Sequence, residues 1–256
     1  MEQLTHHGRA TVYRHRSGTA EGPGLLCIHG SGGAHTVWRG QFRLADATPV
    51  TAIDLSGHGE SDDVGAEPGF ETLAAYADDV VAVAEAVDAR VLVGNSLGGA
   101  VALTVAIERD LDLDGLVLTG TGARLAVLDD LLEWLDHDFD RAVDFLHAPD
   151  RLFHDPDEAL VAASTETMTD VGRVVTRRDF RTCHGFDVRD RLGEVTTPAV
   201  AVVGEHDVLT PPWYHEFLAD ELPSCAYAEV ADAAHLAMLE RPEPFNDVVR
   251  RFLDGL

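Results

Sequence analysis

Two hydrophobic periods alternate along the chain. Short, continuously apolar runs recur at GLLCIHG (24–30), PVTAIDL (49–55), RVLVGN (90–95), GLVLTG (115–120), PAVAVVGEHD (198–207) and CAYAEVADAAH (225–235). Unbroken apolarity, rather than alternation, marks strands buried on both faces, as in a parallel sheet. Between these runs the period lengthens. TLAAYADDVVAVAEAV (72–87) puts Leu73, Tyr76, Ala77, Val80, Val81, Ala84 and Val87 on one stripe at helical spacing. LGGAVALTVAIER (97–109) reads as a mostly buried helix, and PFNDVVRRFLDGL (244–256) as an amphipathic closing helix. Strand–helix alternation predicts an α/β fold with a mostly parallel central sheet flanked by helices. The rhythm breaks between Thr121 and Leu192, where only helix-like pieces rich in Leu, Trp, Phe and Asp occur. This predicts a core built from 1–120 and 193–256, with a helical cap insertion at 121–192. Such a cap would lie over the C-terminal edge of the sheet, where open α/β sheets place their active sites.

Composition narrows the functional classes. The 256 residues, 45% of them hydrophobic, fit one sizeable domain. No apolar run approaches the roughly 18–20 residues of a membrane span. The N-terminus lacks the charged-then-apolar layout of a secretory signal, so a cytoplasmic location is expected. Acidic residues number 45 against 19 basic ones, all of them arginine, for a net charge of −26. A chain so negative repels nucleic acid and anionic membrane surfaces, which excludes both as partners. The acids are scattered rather than gathered in a tail, a pattern resembling proteins of salt-accumulating halophiles. Cys27, Cys183 and Cys225 are widely spaced and odd in number, which argues for a reduced compartment. Neither metal-ligand spacing nor a dinucleotide-binding glycine fingerprint is evident, so no metal and no cofactor is expected.

The chemistry centres on VLVGNSLGGAVAL (91–103). Ser96 stands between Gly94 and Gly98, after a predicted strand and before a predicted helix, which is the nucleophile-elbow pattern. A serine hydroxyl needs a base and a group that orients the base, expected in the chain order Ser, acid, His. Asp207 follows a predicted strand in VVGEHDVLTP, with Glu205 as its neighbour and competitor. His235 is the only histidine in the loop after the last strand. His29 and His58 belong to turns and are expected to hold loops by hydrogen bonds. An oxyanion would be met by the backbone N–H of Leu97 and by a second N–H from HGSGGAHTVW (29–38), that of Ser31 or else Gly32.

Taken together, HGSGG, DLSGHGES, GNSLGG, GEHDVLTP and AAHLAMLERPEPFN resemble the α/β-hydrolase-fold superfamily, esterase-like serine hydrolases in particular. The resemblance spans nearly the whole chain outside 121–192. It implies a Ser96–His235–Asp207 triad and an acyl-enzyme. It also excludes the aspartate nucleophile of epoxide hydrolases and haloalkane dehalogenases. Three positions depart from the usual pattern: Asn95, Ser56 in place of proline or arginine, and Ala234 in place of glycine. Asparagine beside the nucleophile is frequent in carbon–carbon hydrolases of this fold.

The leading expectation is a hydrolase of small-to-medium carboxylic esters, acting on a small-molecule substrate as a monomer or homodimer. Carbon–carbon, lactone or perhydrolase chemistry on the same triad is the alternative. A ligand-binding or signalling protein with little turnover is a third. Trp38, Arg124, Leu125, Trp134 and Met238 are expected around the substrate, with Arg124 the candidate for binding a carboxylate.

Overall fold

The computed structural model describes residues 1–17 and 22–256. Eight strands form one sheet: β1 (Glu2–His6), β2 (Arg9–Arg16), β3 (Gly24–Ile28), β4 (Val50–Ile53), β5 (Ala89–Asn95), β6 (Gly115–Thr119), β7 (Ala199–Gly204) and β8 (Cys225–Val230). Their order across the sheet is β1-β2-β4-β3-β5-β6-β7-β8. Strands β3 to β8 run parallel, whereas β2 is antiparallel to both β1 and β4.

The apolar runs are continuous because helices cover both faces of the sheet. Along β3, Leu26 and Ile28 enter one core, while Leu25 and Cys27 enter the other. Strand β6 does the same, with Leu116 and Leu118 against Val117. The first core is closed by α1 (Phe70–Val87) and α2 (Leu97–Glu108). On α1 the fully buried stripe is Tyr76, Ala77, Val80, Val83 and Ala84, so Leu73, Val81 and Val87 sit only at its margins. Helix α2 is buried from Leu97 to Val105, as expected of an element wedged between the sheet and α1.

Between β6 and β7 come α3 (Asp129–His137), α4 (Phe139–Leu146) and α5 (Glu158–Gly185). Helix α5 is broken at Gly172, where φ is 79°. A single bridge between Arg124 and Asp187 ties together the two ends of this inserted segment. The chain closes with α6 (Pro212–Glu221), α7 (Ala237–Glu240) and α8 (Pro242–Leu253). Helix α8 buries Phe245, Val248 and Val249 in the second core.

Two elements depart from the sequence reading. The β1–β2 hairpin is composed mostly of polar residues, and Val12 and Tyr13 are its only buried apolar ones, so its apolar pattern is too sparse to predict it. Strand β8 is the far edge of the sheet, not a doubly buried strand. Ala226 and Tyr227 are exposed, and 231–235 leave it as a loop. Among the described residues no helix is long and apolar enough to cross a membrane.

Candidate active site

Ser96 is the single residue linking β5 to α2, with φ 55° and ψ −116°. Its N–H donates to the Thr119 carbonyl at 3.0 Å, and its carbonyl accepts the Thr121 hydroxyl at 2.8 Å. These bonds anchor the turn to the neighbouring strand β6. The turn is so tight that a Cβ on Gly94 would lie 2.3 Å from the Gly98 carbonyl oxygen, and one on Gly98 would lie 2.2 Å from that of Ile28. Only glycine permits that approach.

Asp207 and His235 leave the C-terminal ends of β7 and β8 and meet beside this turn. His235 Nδ1 lies 2.9 Å from Asp207 Oδ2. Asp207 is buried and accepts further bonds from the N–H groups of Leu209 and Thr210 and from the Thr210 hydroxyl. Burial pushes its carboxyl up, but the adjacent His235 imidazole and the Thr210 donors outweigh it. The group is held below the usual aspartate value, hence ionised. Glu205 does not compete for His235; its carboxylate accepts the Asp232 N–H instead. His206 turns away and stacks on His154, ring centroids 3.6 Å apart.

The loop after β3 carries the other candidate groups. The N–H of Gly32 donates to Asp179 Oδ2 at 3.1 Å, so it is not available to substrate. The Ser31 and Leu97 N–H groups have no such partner among the described residues. Asp179 comes from α5 and is fully buried. It also accepts from His58 Nε2 at 2.8 Å and from the Tyr76 hydroxyl at 2.7 Å. Burial alone would depress the His58 pKa, but the Asp179 carboxylate outweighs it and raises it. His58 Nδ1 faces the Ser56 carbonyl as well, so the protonated ring can donate from both nitrogens. His29 is the opposite case: burial and the neighbouring His58 charge lower it to about 4. As a neutral ring it donates from Nδ1 to the Gly30 carbonyl and accepts the Leu55 N–H at Nε2. Both histidines therefore hold loops, and His58 does so through an acid on α5 that sequence spacing does not reveal.

Ser96, His235, Ser31 and Asn95 line one cavity of about 580 Å³, whose wall α3, α4 and α5 help to form. Its apolar wall includes Leu125, Leu131, Phe145, Met168, Phe180 and Trp213. Four expected pocket residues lie elsewhere. Trp38 is fully buried against Phe245, and Thr36, Val37 and Arg39 face the cavity in its place. Met238 is fully buried in the core, whereas Leu236 and Leu239 line the cavity. Trp134 is half-buried outside the cavity, its ring tilted against Phe145 and under the Arg141 guanidinium. Arg124 is exposed and outside the cavity. Two arginines do line it: the exposed Arg39 and the half-buried Arg151, the latter from the loop between α4 and α5, too distant in sequence to be assigned without the fold. Outside the cavity, the donor atoms of Glu205, His206 and Asp232 lie within 4.8 Å of one another, a grouping made by the β7 and β8 loops.

Comparison with known proteins agrees with this architecture. Residues 25–248 match the family described as "Alpha/beta hydrolase family". The pimeloyl-[acyl-carrier protein] methyl ester esterase of Neisseria meningitidis serogroup B is 30% identical over 249 residues, covering 90% of this chain and 93% of that protein. The solved structure of a thermophilic esterase superposes with a TM-score of 0.85 at 30% identity, covering 99% of this chain and 97% of the other. The enol-lactonase from Burkholderia xenovorans LB400 shares the fold, with a TM-score of 0.87 at 21% identity over 99% of this chain and all of the other. With the elbow, the sheet order and a family match over most of its length, the chain belongs to the alpha/beta hydrolase family.

Proposed function

We propose that the chain is a cofactor-independent serine hydrolase of small-to-medium carboxylic esters. The observation that carries this reading is the buried His235–Asp207 hydrogen bond facing the same cavity as an elbow-held Ser96. In this reading His235 accepts the Ser96 proton through Nε2, because Nδ1 is engaged by Asp207. Ser96 Oγ attacks the ester carbonyl. The resulting oxyanion is met by the N–H groups of Leu97 and Ser31; Gly32 is excluded because Asp179 occupies its N–H. His235 protonates the departing alcohol, then activates the water that clears the acyl-enzyme. Residues 121–192 act as the cap, with α3, α4 and α5 supplying the apolar wall that receives the acyl chain. Asn95 is spent on structure in this scheme: its Nδ2 donates to the Thr119 and His235 carbonyls, holding the histidine loop.

The test is hydrolysis of p-nitrophenyl esters of increasing acyl length by the wild type and by Ser96→Ala. Turnover with an acyl-enzyme burst is expected in the wild type, and a loss of about four orders of magnitude or more in the variant. A folded wild type that cleaves none of the esters would overturn the proposal.

A further inference from the structure

Arg151 is the one half-buried cation on the wall of the cavity. Its surroundings differ from those of the arginines held in ion pairs. Arg9, Arg90, Arg109, Arg178 and Arg189 each pair with an aspartate. Arg151 pairs with no carboxylate among the described residues, although acids outnumber arginines more than twofold. Its guanidinium instead lies over the Phe145 ring, 3.6 Å from the centroid, and its Nε is buried without a hydrogen-bond partner. A cation held partly out of water with an unmet donor costs free energy unless an acceptor meets it.

The position is held as well as open. The Arg151 carbonyl accepts the His235 N–H at 3.3 Å, and the next carbonyl, of Leu152, accepts that of Leu236 at 3.0 Å. The arginine is thus stitched by its backbone to the loop that carries the catalytic base. The other charged residues on the cavity wall, Arg39 and Glu166, are exposed at its mouth and of opposite sign.

We propose that Arg151 is a specificity-determining residue that binds a second, free carboxylate on the substrate, so that the preferred substrates are half-esters of dicarboxylic acids. The carboxylate meets the guanidinium in the apolar interior, where charge-assisted bonds are strong, and the alkyl chain between the two acid groups lies along the apolar wall. The inference rests on the ester-hydrolase reading above, and its experiment separates the two.

Wild type, Arg151→Met, Arg151→Lys and Arg39→Met are compared on monomethyl succinate, glutarate and adipate, each against the neutral dimethyl diester of the same acid. Wild type is expected to favour at least one half-ester by about 10- to 100-fold in kcat/KM. In Arg151→Met that ratio falls to near one, chiefly through KM, and Arg151→Lys recovers part of it. A wild-type ratio near one, or a preference that survives Arg151→Met and vanishes in Arg39→Met, overturns the inference while leaving ester hydrolysis standing. If no ester is cleaved, the ester reading has failed, and calorimetric titration of glutarate into Ser96→Ala decides the subsite alone. Binding that is lost in Ser96→Ala/Arg151→Met supports it; no binding overturns it. Thermal melting of each variant identifies any that fails to fold, and Arg151→Gln then replaces Arg151→Met.

Discussion

At the scale of single residues, the most constrained position is Ser96. Its φ of 55° and ψ of −116° belong to a region that side-chain-bearing residues rarely adopt. The surroundings enforce that conformation: Gly94 and Gly98 allow the strand and helix to close on it, and Thr119 and Thr121 bond its backbone. Strain held in this way is released if the side chain is removed altogether. Ser96→Gly should therefore be more stable than Ser96→Ala, by about 1–2 kcal/mol in urea unfolding, while both lack turnover. Equal stabilities would mean that the turn is not strained by its Cβ.

At the scale of elements, one bond set joins three parts of the chain. Asp179 on α5 accepts from the Gly32 N–H of the β3 loop, from His58 of the β4 loop and from Tyr76 on α1. The inserted helices are thereby fastened to the loop that carries the Ser31 N–H. Asp179→Asn leaves a protonated His58 without its buried counter-charge, and the expected loss is about 3 kcal/mol of stability. Because the β3 loop loses an anchor too, kcat on a neutral ester should fall with little change in KM. A variant that melts earlier but keeps the wild-type kcat would show that Asp179 serves the packing of α5 alone. Pattern reading foresaw the histidines of these loops as hydrogen-bonding residues. Their acid partner stayed hidden, because it lies 121 residues from His58 and any of 45 acids could have filled the role.

At the scale of the whole molecule, stability is linked to pH through buried histidines. Burial lowers His29 and His215 to about 4. His215 accepts the Thr121 N–H at Nε2, a bond its protonated form cannot accept. Between pH 4 and 6.5 the unfolded chain binds more protons at these two sites than the folded one, so stability rises with pH across that window. Their contribution is fully present above pH 6.5 and is lost as pH falls towards 4, at most about 3 kcal/mol for each. His58 works in the opposite sense: its raised value stabilises below pH 6.5 and is lost as pH rises through its folded pKa. Urea midpoints measured from pH 7 to pH 4.5 should therefore decline, and His215→Gln should flatten the decline. A midpoint independent of pH over that range would contradict the assignment.

The amino-acid pattern alone determined the parallel sheet, its flanking helices, the elbow serine and the two loops that supply Asp207 and His235. These rest on local signals: unbroken apolar runs, glycines with no room for a Cβ, and a short acid- or histidine-bearing segment after each strand. The β1–β2 hairpin escaped, since an edge element with two buried apolar residues carries too little period to read. Tertiary structure decided which side chains face the cavity. Trp38 and Met238 sit beside lining residues in sequence yet turn into the core, because neighbours on a short helical turn point in different directions. Arg151, Phe145 and Asp179 reach the site only because the inserted helices fold back over the sheet edge, a long-range contact that no local spacing encodes.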